Sequence, residues 1–204
     1  MAKKKKNDSN SKFFLVVVLV IFLVSSIASV VLYRNNDEDN SFTYDTPGGK
    51  MKFTRMADSK GNYYFEISSK DRKFLGYFLP DTIGINIDNQ TKNLIRSSPY
   101  FYLTFDPDSS ELSFIDYLRF DLRKNIPSEK FFIDSITNSS LTYNLPIIDC
   151  RNATRTVPVI NLKSTNSTTS ITSDNGCVNI EFSKLSALRI RDTLVYLVNN
   201  IEVK

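Results

Sequence analysis

The chain has 204 residues, with 26 Lys and Arg against 22 Asp and Glu, two cysteines and no histidine. The missing histidine removes the usual general base at neutral pH, the usual nitrogen ligand of zinc, and every Ser-His or Cys-His nucleophile pair. Five of the 26 basic residues and one of the 22 acidic ones lie in the first twelve positions, leaving 21 of each beyond. A charge-neutral remainder has no electrostatic footprint for nucleic acid, and no motif points to a cofactor.

Residues 1–12, "MAKKKKNDSNSK", form a basic tail, followed by "FFLVVVLVIFLVSSIASVVLY" from Phe13 to Tyr33. That run has no charge, proline or glycine, and at about 1.5 Å per residue a helix of its length matches a bilayer's hydrocarbon core. It predicts a transmembrane signal anchor. The lysines before it and the acidic "RNNDEDN" after it place the tail in the cytoplasm and the rest outside, single-pass at the cell membrane. The lysines add weak attraction to anionic lipid headgroups. A cleaved signal peptide ending at Ala28 and a buried core helix are the alternatives. The continuation "SVVLY" lengthens the run to a full span and favours the anchor. Residues 34–41 read as a polar tether and 42–204 as one exported domain.

Within that domain "GGKMKFTRM", "ADSKGN" and "YYFEISS" read as strand, turn and strand. "RKFLGYFLP" and "TIGINID" read as two further strands, and "PYFYLTF" as an interior one. In "DPDSSELSFIDYLRFDLRK", Leu112, Ile115, Leu118 and Leu122 recur at helical spacing, and Asp108 with Glu111 resembles a capping box. "EKFFIDSIT" completes a strand–helix–strand unit. "RTVPVINL" and "CVNIEF" read as strands flanking a polar hairpin tip, "STNSTTSITSDN". A last helix carries Leu185, Leu188, Leu194, Val195 and Val198 on its apolar face. The expected class is α+β, mainly antiparallel with one β-α-β unit and a C-terminal helix.

Cys150 and Cys177 are too far apart in sequence for a Cys-x-x-Cys redox pair and too few for zinc. Outside the cell they pair into a structural disulfide, with two buried free thiols as the alternative. Asn89, Asn138, Asn152 and Asn166 each begin an Asn-x-Ser/Thr glycosylation sequon. "ITSDNG" and "DSKGN" offer oxygens that could face calcium but lack the EF-hand alternation, and read as turns. Asp106 and Asp108, at the end of "YFYLTFDPDSS", superficially resemble the nucleophile motif of haloacid-dehalogenase-type phosphotransferases. Ser109 and Ser110 depart from that pattern, and the simpler reading is a strand-to-helix turn.

The spaced set "CRNAT", "PVINL", "NSTTSI", "NGCVNI" and "RDTLVY" resembles small, uncharacterised single-span membrane proteins of small-genome archaea. Those proteins share a Lys-rich tail, an "FDP"-like strand end, here Phe105-Asp106-Pro107, and a final Asp-x-x-x-Tyr stretch, here Asp192 to Tyr196. The resemblance covers the anchor and roughly the second half of the chain. It implies no known activity and no catalytic residue. The expected function is a non-catalytic membrane-anchored domain that contacts the bilayer and an envelope or cell-surface protein. A carboxylate-dependent hydrolase or phosphotransferase using Asp106 and Asp108 is the alternative. A surface-appendage subunit is a third reading, for which no pilin-type cleavage motif is visible.

Overall fold

The computed structural model describes residues 40–46, 49–69 and 72–203. All of these but Asn40 and Ser41 fall in one unit, Phe42–Lys204. The apolar run Phe13–Tyr33 lies outside the described residues. Among those residues no helix is long and apolar enough to cross a membrane.

The first sheet holds β1 (Ser41–Thr46), β2 (Gly49–Ala57), β3 (Tyr63–Ser68) and β4 (Lys73–Gly76), side by side in chain order. β2 pairs antiparallel with β3, and β3 with β4. Alternation puts Met51, Phe53, Ile67 and Phe74 on the buried side. Asp58 shapes the β2–β3 turn by accepting the N–H groups of Lys60 (2.8 Å) and Asn62 (2.9 Å).

The second sheet is ordered β6-β5-β7-β9-β8, from β5 (Tyr100–Phe105), β6 (Phe131–Ile136), β7 (Val159–Ser164), β8 (Ser170–Asp174) and β9 (Cys177–Phe182). The expected strand–helix–strand unit is present: β5 and β6 are parallel neighbours joined through a helix. The second sheet departs from the antiparallel expectation, because β5–β7 and β7–β9 are parallel as well. The polar segment explains why. It is not the tip of a β7–β9 hairpin. Its second half is β8, which folds back antiparallel onto β9 through a two-residue turn at Asn175 (φ 48°) and Gly176 (φ 90°). That extra reversal makes β9 run with β7 instead of against it.

Three helices occur among the described residues: α1 (Asn89–Ser97), α2 (Leu112–Asn125) and α3 (Ala187–Val198). α2 touches β4 of the first sheet and β6 of the second, and α3 packs against both α1 and α2. The helices therefore form a layer between the two sheets. "TIGINID" is not a strand. Ile83, Ile85 and Ile87 are buried in alternation, but the segment pairs with no strand and leads into α1. Asp88 caps α1 by accepting the Thr91 N–H at 2.8 Å. The sequence reading missed this helix, because its residues are mostly polar and only Thr91 and Ile95 are buried. α2 starts at Leu112, with Glu111 at the N-cap and no side-chain cap bond, so the expected Asp108–Glu111 capping box does not form.

Of the expected apolar face of α3, Leu194, Val195 and Val198 are buried. Leu185 is 94% exposed and sits in a preceding 3-10 turn, Lys184–Ser186, while Leu188 lies on the outer side at 39%. From Ile190 through Asn199 every residue is buried, including Arg191, Asp192 and Thr193. A helix enclosed on all sides must pair its own polar groups.

Those polar groups close the outer edge of β4. No strand lies beyond β4 in its sheet. The Leu75 N–H donates to Asn125 Oδ1 at 3.0 Å, and Arg191 Nη1 donates to the Leu75 carbonyl at 2.5 Å. Just past the strand, the N–H groups of Tyr77 and Phe78 donate to Asp192 Oδ2 at 2.6 and 2.7 Å. Arg191 also holds Asp192 Oδ1 at 2.7 Å, and its Nε donates to Asp121 on α2. Tyr196 Oη donates to the Phe78 carbonyl. Burial pushes the Asp192 carboxyl up, to about 6, while Arg191 and the two backbone N–H groups pull it down.

Asp192→Ala is expected to cost about 3–5 kcal/mol in denaturant unfolding, since it breaks a buried ion pair and leaves two backbone donors without an acceptor. Gly76→Ala is expected to destabilise as well, because an added Cβ would overlap Tyr196 Oη and lie 2.9 Å from Ile67 Cδ1. A Tyr196→Phe background should recover part of that loss.

Candidate functional site

The second sheet buries one face against the helices through Phe101, Leu103, Phe105, Ile160, Leu162, Val178, Ile180 and Phe182. Residues 137–158 cross toward the opposite face. Thr104 Oγ1 donates to the Ile148 carbonyl at 2.6 Å, and the Ile148 N–H donates to Ile136 at 2.9 Å. The crossing ends in a 3-10 turn, Cys150–Asn152, capped by Asp149. There Cys150 bonds to Cys177, at the start of β9, with Cα atoms 5.2 Å apart and a sequence separation of 27. The disulfide expected from the sequence is thus present. It pins the crossing segment to β9, which runs parallel to β7. Beside it, Asn161 Nδ2 donates to Asn179 Oδ1 at 3.0 Å across β7 and β9.

Asp106 and Asp108 follow the carboxyl end of β5. Both are exposed, and Asp106 Oδ1 accepts the Asp108 N–H at 3.0 Å while the Asp106 carbonyl accepts the Ser109 N–H at 3.2 Å. These bonds shape the turn into α2. Asn89, Asn138, Asn152 and Asn166 are all exposed. Asn89 opens α1, where the sequon's Thr91 is buried and its hydroxyl donates to Asp88 at 2.6 Å. Asn152 is tied into the 3-10 turn, its Oδ1 accepting the Asp149 N–H at 2.9 Å.

Among the concavities of the described residues, two stand out by their aromatic or charged lining. One is a groove of about 610 Å³ beside Tyr63, Tyr64, Tyr77 and Phe78. The other is a cleft of about 490 Å³, where the start of β4 meets the carboxyl ends of α2 and α3. Arg72, Lys73 and Lys124 line the cleft, against one carboxylate, Glu129. Lys73 is tied to Glu66 at 2.8 Å, whereas Arg72 and Lys124 have no carboxylate partner among the described residues. Behind the cleft lies buried Lys130, whose ammonium donates to the carbonyls of Ile95 (3.2 Å) and Arg96. Burial pushes that ammonium below its usual range; Glu129 opposes the shift and Arg72 adds to it.

Helix carbonyl ends would repel an anion, but here they are occupied. Asn199 Nδ2 donates to the carbonyls of Asn125 (3.0 Å) and Val195 (2.7 Å), and Asn125 Nδ2 donates to Asp121 (2.7 Å). Two buried polar atoms of cleft residues stay unpartnered: Arg72 Nη1, a donor, and Asn199 Oδ1, an acceptor. Nothing in the local sequence marks these residues, because they come from stretches far apart in the chain.

No family model, curated protein or solved structure matches this chain.

Replacing Cys150 and Cys177 together by Ser is expected to cost about 3 kcal/mol on the chain-entropy account of a loop of this size. The same loss should follow reduction of the wild type, measured by thermal or denaturant unfolding.

Proposed function

We propose that this protein is a membrane-tethered, non-catalytic binding domain displayed outside the cytoplasm, where it contacts another envelope or cell-surface protein. The observation that carries this reading is the Cys150–Cys177 disulfide, a bond that persists in oxidising compartments and is rare in reducing ones. The uncharged run Phe13–Tyr33 with lysines ahead of it supports the tether and its direction.

The surface best suited to the contact is the outer edge of β6. Phe131 N–H donates to Pro99 and Thr137 N–H to Phe105, so the alternation of a parallel ladder turns the backbone groups of Phe132 and Asp134 outward. On one face of that edge Phe131 and Ile133 are 55% and 41% exposed, and the Phe131 ring stacks on Tyr100 at 5.6 Å. An extended segment carrying apolar side chains at alternate positions fits such an edge by strand addition.

In intact cells expressing the full chain, thiol reagents should label neither cysteine until a reductant is added, and externally added protease should reach the domain. A photocrosslinker at Ile133 should give discrete protein adducts that one at Thr168, on the polar segment, does not. Freely reactive cysteines in untreated cells would overturn the export reading. Adducts equally strong at both positions would overturn the β6 surface.

One observation keeps a second reading in view. The connections from β5 and β6 leave on opposite sides of β5, so Asp106 stands at a switch point outside the strand carboxyl ends, where open α/β sheets bind ligands. If Asp106 and Asp108 drive phosphoryl transfer, changing both to Asn lowers hydrolysis of p-nitrophenyl phosphate by about a hundredfold or more. The binding reading expects no such difference.

A further inference from the structure

We infer that the aromatic groove at the end of the first sheet where the chain enters the domain rests against the bilayer, its occupant being the headgroup and upper acyl zone of the lipid. This rests on the proposed membrane tether. Connectivity is the first reason. β1 and β2 are neighbours joined by two residues, so they run antiparallel, and the start of β1 at Ser41 lies at the end of β2. The β2–β3 turn, residues 58–62, is at that same end. Phe65 pairs with Gly76, so the chain leaving β4 passes beside the start of β3 and brings Tyr77 and Phe78 there too. Leu188, in the first turn of α3, lines the groove with them and with Tyr63. Seven residues, 34–40, separate Tyr33 from Ser41. Fully extended they reach at most about 25 Å, so a chain leaving the bilayer at Tyr33 holds this end of the domain close to the lipid surface.

The side chains gathered there are the second. Tyr63 is 60% exposed, Leu188 39%, and Leu185, in the turn before α3, 94%. Met56, paired with Tyr64 at the same end, is 41% exposed. Tyrosine suits the depth of the headgroups, where its ring is apolar and its hydroxyl stays wet. Arg55 lies over the Tyr63 ring at 4.0 Å and Arg189 over the Phe78 ring at 5.2 Å. Such stems follow apolar surface while their guanidinium groups stay at the level of the phosphates.

Charge is not the driving force. Asp58 lines the groove and Asp37, Glu38 and Asp39 precede the domain, which offsets Arg55 and Lys60. Asp58 is itself committed to its turn, accepting the N–H groups of Lys60 and Asn62 and the Asn62 side-chain amide. The attraction is burial of apolar surface, and it holds on a zwitterionic bilayer. A short tether also keeps lipid at a high effective concentration beside the groove, whereas any other occupant has to be recruited.

The chain has no tryptophan, so a single introduced one reports its own surroundings. In the full chain reconstituted into phosphatidylcholine vesicles, Tyr63→Trp and Leu185→Trp are expected to be quenched by lipid brominated in the upper acyl chain. Lys50→Trp, at the opposite end of β2, is expected to be unaffected. Adding Leu188→Asn to Tyr63→Trp should lower its quenching about twofold, since it removes apolar surface from the contact. Phe22→Trp, within the apolar run, reads the tether separately through lipid brominated at the chain ends. If Phe22→Trp is quenched while Tyr63→Trp and Leu185→Trp do no better than Lys50→Trp, the inference is overturned and the tether stands. If Phe22→Trp is not quenched, the tether fails and this inference fails with it. Quenching of Tyr63→Trp that requires anionic lipid would overturn the apolar account. Emission of Tyr63→Trp that shifts with protein density in the vesicle and ignores brominated lipid would assign the groove to a second copy of the chain and overturn the lipid as its occupant.

Discussion

An edge strand with nothing beside it is the constraint on which this architecture turns. β4 ends the first sheet, and side chains from the helix layer complete its outward backbone groups: Asn125 from α2, then Arg191 and Asp192 from α3. Each such group buried without a partner would cost free energy comparable to a lost hydrogen bond. The Arg191–Asp192 pair does two jobs at once. It neutralises itself inside the core, and it fastens one sheet to the central helix. Buried ion pairs add little net stability against a well-packed apolar alternative, but they specify which surfaces meet. Here they fix how the first sheet seats on α3, and the Tyr196 bond to Phe78 extends the same seam by one turn.

The contrast with β6 is instructive. Both strands are edges, yet one is closed by charged side chains and the other presents aromatic rings. Proteins ordinarily shield long apolar edges. Asp134 is occupied by Arg119 at 2.8 Å and Arg123 at 2.5 Å on the helix side, so its charge does not guard the strand. The segment that the disulfide pins covers this edge only at its end, where Ile136 pairs with Ile147, and the stretch around Phe131 and Ile133 stays open.

Much of the strand content was legible because alternation and β-branched runs report burial directly. β5 and β9 begin and end where their apolar pattern does, and the β5–α2–β6 unit follows from period and order. What stayed hidden depends on pairing at a distance. Ile83, Ile85 and Ile87 alternate as a strand would, because an extended segment crossing a core buries every second residue even with no neighbour to pair with. α1 went unseen because its helical state rests on the Asp88 cap and on a single buried face, not on an apolar stripe. The direction of β9 differs from the expected hairpin because the polar stretch read as its tip contains a strand, Ser170–Asp174, ahead of the Asn175-Gly176 turn. Local patterns contain the disulfide's partners but not the cleft, whose cations gather only when β4, α2 and the end of α3 come together.

α3 follows all nine strands of the described residues and yet occupies the middle of the fold. Neither sheet can bury its inner face before that helix is in place, and β7 cannot take its final position between β5 and β9 until β9 exists. Few of the contacts that matter are local, so loop closure must precede most of the gain from packing. Assembly is therefore deferred: a chain emerging from N- to C-terminus exposes apolar strands until its last helix arrives.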